Sequence, residues 1–307
     1  MSTQQPFVTG PASLRVQSVL YGNDKESIDR ALENMAGAIQ LAQRAGAITT
    51  AEIALGDCSS APLFTASEID AREQSLREQG LTRLEYRFFD ANLGSAAGHN
   101  RLSSTAQADL LLIQNPDIVA APNLLVELIA PLRLPRVGQV EARQLPVEHP
   151  KTYDVNTGDT PWATTACSLI PRAVMEQLGG FDHETFFLYC DDVDFSWRAR
   201  LAGYRVVFQP SAAAVHDKRL TPQGERMVGA AEEYYSAEAA LMLAHKYSRP
   251  DMVKRVQRQL EHGGSDTQKR ALQTFLKRQA EKRLPGPIDA AHRVAQFTDG
   301  YYAKHRW

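Results

Sequence analysis

The chain has 307 residues, with 34 lysines and arginines against 36 aspartates and glutamates, so its net charge is −2. This balance, with 43% hydrophobic residues, is ordinary for a soluble globular protein, and we expect no nucleic-acid partner. The length allows one large domain, or one domain with an appendage.

The charge is unevenly distributed along the chain. Residues 246–307 carry 14 lysines and arginines against 6 aspartates and glutamates, a balance of +8. The preceding residues carry a balance of −10. A basic tail on an acidic body suggests an anionic surface partner, or only a solvated helix face.

The sequence favours a cytoplasmic protein. Its N-terminus lacks the basic start and apolar core of a signal peptide, and no apolar run is long enough to span a bilayer. The three cysteines, Cys58, Cys167 and Cys190, form no C-x-x-C pair and no zinc spacing. Scattered, unpaired cysteines favour a reducing compartment.

Strands and helices alternate in the first 114 residues, which predicts a parallel sheet with right-handed crossovers. Strands are predicted at 15–21, 50–55, 84–89 and 110–114, and helices at 25–44, 68–79 and 95–108. Ligands bind at the carboxyl ends of such strands, where Asn23, Asp57, Asn92 and Asp117 stand. No dinucleotide-binding glycine pattern or P-loop follows the first strand, so neither a dehydrogenase nor an ATPase is favoured.

The second half of the chain is less regular. A helix is predicted at 123–132, followed by proline-marked loops up to Trp162, a strand at 166–170 and a short helix at 172–178. A β-rich run then ends at His216, and from residue 224 the pattern is helical. Ser265 and Gln268 have the spacing of a capping box.

Three carboxylates fall within four positions, at Asp191, Asp192 and Asp194, after a diglycine and a run of aromatic residues. Such close acidic groups repel one another. They suit the first turn of a helix, whose dipole favours negative charge, and they suit acid–base chemistry. We expect both: a helix that begins near Asp192, and one acid that does chemistry.

Five segments in this order resemble the inverting family 2 glycosyltransferases with a GT-A fold. The segments are VLYGN, ALGDCSS, NLGSAAGHN, QNPDIV, and GGFDHETFFLYCDDVDFSWRARLAGYRV followed by VH. The resemblance covers roughly residues 15–220 and is closest to bacterial rhamnosyltransferase-like enzymes of cell-wall and O-antigen synthesis. The last segment is the strongest match.

The resemblance implies an α/β GT-A fold with a mostly parallel, Rossmann-like central sheet flanked by helices. Residues 1–224 would form the catalytic domain, with a nucleotide-sugar half at about 15–120 and an acceptor half at about 121–224. Residues 225–307 would form a C-terminal helical extension.

The implied activity is inverting transfer of a sugar from dTDP-rhamnose or a UDP-hexose to a hydroxyl of a glycan or lipid-linked saccharide, in bacterial surface polysaccharide synthesis. A carboxylate must accept the proton of the attacking hydroxyl. By the family pattern, Asp192 is the general base and Asp191 takes the position of the acid before it. Asp194 is expected to pair with Arg198, four positions on.

The resemblance also implies the donor-binding residues: Asn23, Asp57, Asn92, Gly94, Asn100 and Asp117. Asp57 would accept a hydrogen bond from a pyrimidine ring. A turn-forming role is the alternative for Asp57, Asn92 and Asn100.

Asp117 and His216 are expected to hold a divalent cation, Mn²⁺ or Mg²⁺, against the diphosphate of the donor. Asn115 stands where the family has its first acid, which leaves the strength of metal binding open. Lys218 and Arg219 would assist with phosphate or cap a loop.

On the acceptor side, Trp162 aligns with an aromatic residue that lines the site, with core packing as the alternative.

Two other functions remain open. A nucleotidyltransferase would carry a glycine-rich, basic signature near the first strand, which VLYGNDKES lacks. A catalytically silent sugar-nucleotide-binding or scaffold protein is suggested by Asn115, whereas the retained acids Asp191 and Asp192 and the retained His216 argue against it.

The C-terminal extension has two candidate roles. It could contact an anionic membrane peripherally, or form a homodimer through a stripe of Leu272, Phe275 and Leu276. The homodimer is favoured, because lysines and arginines interrupt the apolar stripe and weaken its amphipathicity.

Overall fold

The computed structural model describes residues 5–147, 150–216, 229–297 and 301–303. In these ranges one mixed sheet of eight strands forms the centre of the fold, in the order β3-β2-β1-β4-β7-β6-β8-β5. The strands are β1 Ala12–Leu20, β2 Ile48–Asp57, β3 Arg83–Phe88, β4 Leu110–Gln114, β5 Ile118–Ala120, β6 Val137–Leu145, β7 Cys167–Pro171 and β8 Arg205–His216.

Helices surround the sheet and continue beyond it. They are α1 Lys25–Arg44, α2 Ala66–Glu78, α3 Gly94–Ser103, α4 Leu124–Ile129, α5 Arg172–Gln177, α6 Asp191–Leu201, α7 Ala230–Lys246, α8 Pro250–Gly263 and α9 Asp266–Ala280, with a 3₁₀ turn at Ala130–Arg133 after α4. The predicted helix at 25–44 is confirmed in full. Its N-cap Asp24 accepts a hydrogen bond from the backbone N–H of Ser27 at 2.8 Å.

The sheet has a parallel half and a mixed half. β1 pairs parallel with β2 and β4, and β3 pairs parallel with β2. β7 then runs antiparallel to β4 and β6, whereas β8 is parallel to β6. The predicted α/β class with a mostly parallel central sheet is confirmed, and the carboxyl ends of the parallel strands meet at one edge.

Two strands, β5 and β6, were not predicted. The region of β6 was predicted to be loop, because prolines mark it. Its sequence, VGQVEARQL, places Gln139 and Glu141 at positions that are buried in the sheet. A buried carboxylate needs a partner, and that partner comes from outside the strand.

The C-terminal helices pack on one another and on the acidic segment. Trp197 and Val193 of α6 share a hydrophobic cluster with Leu241 of α7 and with Tyr247, which follows it. The extension therefore covers one side of α6. The predicted domain boundary at 224/225 lies outside the described residues. No helix in the described ranges combines the length and the apolarity needed to cross a bilayer.

The predicted capping box at Ser265 and Gln268 is present at the start of α9. The apolar stripe proposed for a second subunit is mostly unavailable, however. Leu272 and Phe275 are buried inside the chain, in the cluster formed with α7, and only Leu276 is exposed. The structure corrects the prediction for this stripe, because α7 of the same chain already covers its apolar face. Dimerisation through the C-terminal helices stays a prediction.

Candidate active site

The loops after β1 and β2 are tied together at the carboxyl edge of the sheet. The backbone N–H of Gly22 donates to Ser59 Oγ at 3.0 Å, and that of Cys58 donates to the carbonyl of Leu20 at 2.9 Å. Asn23 accepts from the backbone N–H of Tyr21 at 2.9 Å. Asn23 and Asp57 therefore lie in adjoining loops, as expected for two groups of one ligand site.

Asp57 is fully buried at the end of β2. Its carboxylate accepts from the backbone N–H groups of Ser59 and Leu63, both at 2.9 Å, and from the Tyr86 hydroxyl at 2.5 Å. Burial alone would raise the pKa of Asp57, but these hydrogen bonds outweigh it and lower the pKa. Asp57 thus organises its own loop as an anion, and its contact with a pyrimidine base stays a prediction.

The start of α3 fits tightly against the loop before the acidic segment. Asn92 accepts from the backbone N–H of Gly94 at 3.2 Å, and the N–H of Ser95 donates to the carbonyl of Phe187 at 3.1 Å. Gly94 has φ +71°, and a Cβ there would lie 2.3 Å from the Phe187 oxygen. Only glycine suits this position, so Asn92 and Gly94 shape the helix start.

The side chain of Asn100, near the end of α3, forms two hydrogen bonds with the backbone of the acidic segment. Its amide nitrogen donates to the carbonyl of Phe181, and its amide oxygen accepts from the N–H of Phe181, both at 2.8 Å. The next residue back, Gly180, has φ +75°, and a Cβ there would lie 2.5 Å from Asn100 Oδ1. Asn100 therefore fixes the diglycine turn, and through it α6, relative to α3.

Two left-handed residues precede α6: Tyr189 with φ 65° and Cys190 with φ 57°. Such backbone is uncommon for non-glycine residues and is concentrated at functional sites. The sharp turn it makes puts Asp191, Asp192 and Asp194 in the first turn of α6. The prediction that a helix begins beside Asp192 is confirmed.

Asp194 is fully buried and paired, as predicted, with Arg198, at 2.7 Å. It also lies 2.5 Å from the Lys246 ammonium and accepts from the Tyr247 hydroxyl at 3.1 Å. With these partners it is a structural carboxylate. The remaining two acids are the ones available for chemistry.

Asp191 turns towards the start of α3. It is 4% exposed, and it forms a hydrogen bond with the side chain of Ser95 at the start of α3. Its Oδ2 has no hydrogen-bond partner among the described residues. Burial, and then the neighbouring charge of Asp192, raise the pKa of Asp191 to about 7.

Asp192 turns towards the segment before β7. Its carboxylate accepts from the backbone N–H of Val193 at 2.8 Å and forms hydrogen bonds with Thr164 and Thr165. Burial raises the pKa of Asp192, and the hydrogen bond from Val193 and the charge of Lys151 oppose this rise. The two adjacent acids therefore contact opposite halves of the fold.

A buried ion pair that the sequence did not predict lies beside Asp192. Lys151 Nζ is 2.7 Å from Glu141 Oε2, and both side chains are buried. The ammonium is also 3.3 Å from the centroid of the Trp162 ring and 3.3 Å from the Trp162 carbonyl oxygen. Burial raises the pKa of Glu141 to about 7, and Lys151 opposes this rise.

Trp162 is 5% exposed and contacts Lys151 on its ring face and Tyr302 at 5.1 Å in an edge arrangement. This burial agrees with the core-packing alternative for Trp162. Direct contact with an acceptor stays a prediction.

A cavity of about 250 Å³ is lined by residues of β6 and β8 and of the segment between β6 and β7. Two of its lining residues contact predicted site residues: Thr164 is a hydrogen-bond partner of Asp192, and Gln144 lies 3.0 Å from His216. The cavity therefore adjoins both the predicted base and the predicted metal ligand.

Asp117 and His216 are brought together, as predicted, although 98 positions separate them. β5 and β8 pair with Ile118 opposite His216, so that Asp117 Oδ1 and His216 Nε2 lie 3.2 Å apart. Asn115 Nδ2 is also 3.2 Å from His216 Nε2. No group of three or more His, Cys, Asp or Glu side chains suitable for a metal occurs in the described ranges. Lys218 and Arg219 lie outside those ranges.

Comparisons with known proteins agree with this architecture. A family model described as "Glycosyltransferase like family 2" matches residues 153–232. A 57-residue segment is 42% identical to the N-acetylglucosaminyl-diphospho-decaprenol L-rhamnosyltransferase of Mycobacterium tuberculosis, over 19% of this chain and 18% of that protein. A second relative, the O-antigen biosynthesis protein RfbC of Myxococcus xanthus, is 28% identical over 46% of this chain and 13% of its own length. The chain thus spans less than a fifth of either relative.

Solved structures are similar over nearly the whole chain. The mannosyltransferase PcManGT from Pyrobaculum calidifontis, in complex with GDP-Man and Mn²⁺, matches with a TM-score of 0.57 at 17% identity, over 95% of this chain and 80% of its own. GalNAc-T7 with UDP, GalNAc and Mn²⁺ matches with a TM-score of 0.62 at 13% identity, over 91% of this chain and 60% of its own. The GT-A fold and the resemblance to family 2 glycosyltransferases are confirmed.

Proposed function

We propose that this chain, a protein of GT-A fold with a family 2 glycosyltransferase segment, transfers a sugar from a nucleoside-diphosphate sugar to a saccharide hydroxyl with inversion. The observation that carries the proposal is the opposed placement of two adjacent acids. Asp191 is bonded to Ser95 in the donor half, whereas Asp192 is bonded to Thr164 in the acceptor half. A reaction between donor and acceptor needs a base on the acceptor side.

In the reaction, the acceptor oxygen attacks the anomeric carbon and forms the new glycosidic bond. The bond from that carbon to the diphosphate breaks, the nucleoside diphosphate leaves with the electron pair, and the acceptor proton passes to Asp192. Burial raises the pKa of Asp192, which makes its carboxylate a better proton acceptor than an exposed aspartate. The charge of the nearby Lys151 opposes this rise and favours the ionised form of the base.

The donor would lie along the carboxyl edge of the parallel strands. The adjoining loops that hold Asn23 and Asp57 would receive the nucleoside, and the start of α3 at Asn92 and Gly94 would face the diphosphate. Two structural relatives are complexes with GDP-Man and with UDP, which supports a nucleotide-sugar donor. The name of the mycobacterial relative supports dTDP-rhamnose ahead of a UDP-hexose, and a lipid-linked saccharide as acceptor. The name of the Myxococcus relative, an O-antigen biosynthesis protein, supports a role in bacterial surface polysaccharide synthesis.

Asp117, His216 and Asn115 fit a divalent cation. Gln144 Oε1, which can only accept, lies 3.0 Å from His216 Nδ1, so that nitrogen carries the proton and Nε2 presents a lone pair to the Asp117 carboxylate. Two acceptors 3.2 Å apart suit neighbouring ligands of one cation, whose bonds to Mg²⁺ are about 2.0–2.1 Å long. A rotated Asn115 amide would add an oxygen.

When bound, the cation would neutralise the charge of the leaving diphosphate. The chain offers few ligands of its own, so diphosphate oxygens and water would complete the coordination.

The protein would act in the cytoplasm. Its basic C-terminal residues would support peripheral contact with the membrane face that carries lipid-linked acceptors.

The proposal is tested with purified protein and a panel of dTDP-, UDP- and GDP-sugars, by measuring release of the nucleoside diphosphate with and without saccharide acceptors. Asp192→Asn should reduce transfer by roughly 10²–10⁴-fold while nucleotide binding is retained. Transfer at the wild-type rate by Asp192→Asn, but not by Asp191→Asn, would reverse the assignment of the base. Binding of nucleotide sugars with no turnover for any donor would favour the silent sugar-nucleotide-binding protein.

A further inference from the structure

The cavity beside Asp192 has the chemical features of a sugar site. Its wall includes Tyr153 and Phe208, whose ring centroids are 5.0 Å apart at an angle of 56°. Glu141 and Lys151 also line it, and these are almost fully buried. Ligand pockets combine apolar and aromatic walls with a few placed polar groups. At about 250 Å³ the cavity is smaller than the roughly 300–1,000 Å³ of pockets for drug-sized ligands, which suits a single sugar ring.

The buried ion pair of Glu141 and Lys151 can form hydrogen bonds with the hydroxyls of such a ring. The Lys151 ammonium lies 2.7 Å from Glu141 Oε2, donates to the Trp162 carbonyl oxygen and lies 3.3 Å from the centroid of the Trp162 ring. The Glu141 carboxylate beside it can accept hydrogen bonds from sugar hydroxyls. Both groups stand next to Thr164, which bonds Asp192. A sugar held here would bring a hydroxyl close to the base.

The exposed end of the cavity carries a cation, Arg143. Within the described residues, Arg143 forms no salt bridge, and its guanidinium has five donors in a planar fork that matches phosphate oxygens. Lys151 pairs with Glu141, so Arg143 is the cation of the lining that has no carboxylate partner in the described residues. The exposed end of the cavity is therefore complementary to a ligand with a negative group beside the sugar.

We propose that the cavity binds the acceptor sugar and that Arg143 binds a phosphate attached to it, so that the acceptor is a sugar phosphate or diphosphate. The inference rests on the proposed glycosyl transfer and deepens it. Such a phosphate could belong to a lipid-linked diphosphate or to a free sugar 1-phosphate. In either case the phosphate remains on the acceptor, and only the hydroxyl proton leaves it, to Asp192.

The test uses the full-length protein and three acceptor probes: octyl-diphospho-N-acetylglucosamine, N-acetylglucosamine 1-phosphate and neutral octyl N-acetylglucosaminide. Arg143→Ala should raise KM at least about 10-fold for whichever phosphate-bearing probe the wild type uses as an acceptor. Arg143→Lys, which keeps the positive charge, should raise this KM less. KM for the neutral glycoside and the rate of donor hydrolysis should not change. Use of the 1-phosphate alone would identify a free sugar phosphate, and use of the diphosphate alone a lipid-linked acceptor.

Arg133→Ala is the matched control, because Arg133 is an exposed arginine just before β6 rather than at its carboxyl end. Tyr153→Leu removes one aromatic wall and should raise KM for all three probes alike. The inference is overturned if Arg143→Ala affects neutral and phosphate-bearing probes equally, or affects neither. It is also overturned if the wild type hydrolyses donor but uses none of the probes. Absence of both hydrolysis and transfer with every donor would instead contradict the proposed function, and the inference would fall with it.

Discussion

The ammonium of Lys246, at the end of α7, lies 2.5 Å from the carboxylate of Asp194, in the first turn of α6. It is also 2.6 Å from the Asp182 carboxylate. Lys246 and Asp194 are both buried, and Tyr247 donates a further hydrogen bond to Asp194. The C-terminal extension thus neutralises a buried charge two positions from the proposed base. Its role includes holding α6, and with it Asp192, in place.

Lys246→Met should destabilise the protein strongly. The substitution leaves Asp182 without its cation and Asp194 with Arg198 as its charged partner, and removing one partner of a buried ion pair costs about 3–5 kcal/mol. Urea unfolding should show this loss, and transfer activity should fall because α6 loses its support. Lys254→Met, at an exposed position on α8, is the control and should change little. An unchanged unfolding midpoint for Lys246→Met would show that the pair carries no net stability.

Gly180→Ala should cost more than Gly179→Ala, although the two glycines are adjacent. Both have positive φ, +71° at Gly179 and +75° at Gly180. Alanine at either position therefore destabilises the fold by about 1–2 kcal/mol through its backbone conformation alone. A Cβ at Gly179 meets nothing within 4 Å, whereas one at Gly180 would lie 2.5 Å from Asn100 Oδ1. Gly179→Ala therefore controls for the backbone term.

The extra cost at Gly180 should also appear in catalysis, because displacement of Asn100 releases its two hydrogen bonds to Phe181. Thermal unfolding and steady-state transfer measure the two effects. Equal behaviour of the two alanine variants would mean that the Asn100 side chain moves aside without consequence.

The local features of the fold could be predicted from the sequence, whereas several features of the site could not. The helix at 25–44 and the strand at 110–114 follow from periodicity and caps that lie within each segment. β6 was missed because its buried Glu141 is compatible with a strand only when Lys151, ten positions on, reaches it.

The distinction between Asp191 and Asp192 also depends on tertiary structure. Their partners, Ser95 and Thr164, come from distant parts of the chain, and only the assembled sheet separates them. The stripe of Leu272 and Phe275 shows the same limit. Helical spacing identified an apolar face, but the spacing does not say whether a second chain or α7 covers it.

Removal of the proposed metal ligands should abolish the effect of metal on nucleotide binding. In a thermal-shift experiment, a nucleoside diphosphate with Mn²⁺ should raise the melting temperature of the wild type more than the nucleotide alone, because binding to the folded state stabilises it. Asp117→Asn and His216→Ala should each lose the Mn²⁺-dependent part of the shift and keep the nucleotide-dependent part. Asp90→Asn, an exposed carboxylate after β3, is the control. Full transfer activity in excess EDTA would contradict the metal site.

Asp191 should make stability fall as pH rises from about 4 to about 7. Its pKa is raised from the ordinary 3.8 to about 7 in the folded protein, first by burial and then by Asp192. Between these values the folded state holds a proton that the unfolded state has released. By linkage, the unfolding free energy then decreases with increasing pH, because the folded state binds more protons. The stabilising contribution is complete below the unfolded pKa and is lost as pH passes through the folded pKa.

Asp191→Asn removes this ionisation and should flatten the dependence. The wild type should lose a few kcal/mol between pH 5 and 8 more than the variant does, since a shift of one pKa unit corresponds to about 1.4 kcal/mol. Urea unfolding at pH 5, 6, 7 and 8 measures both proteins, and Asp70→Asn, an exposed carboxylate on α2, provides the control. Asp191→Asn should also be more stable than the wild type at pH 8, because it buries no charge beside Asp192. Parallel pH profiles for the wild type and Asp191→Asn would show that Asp191 is ionised in the folded protein throughout this range.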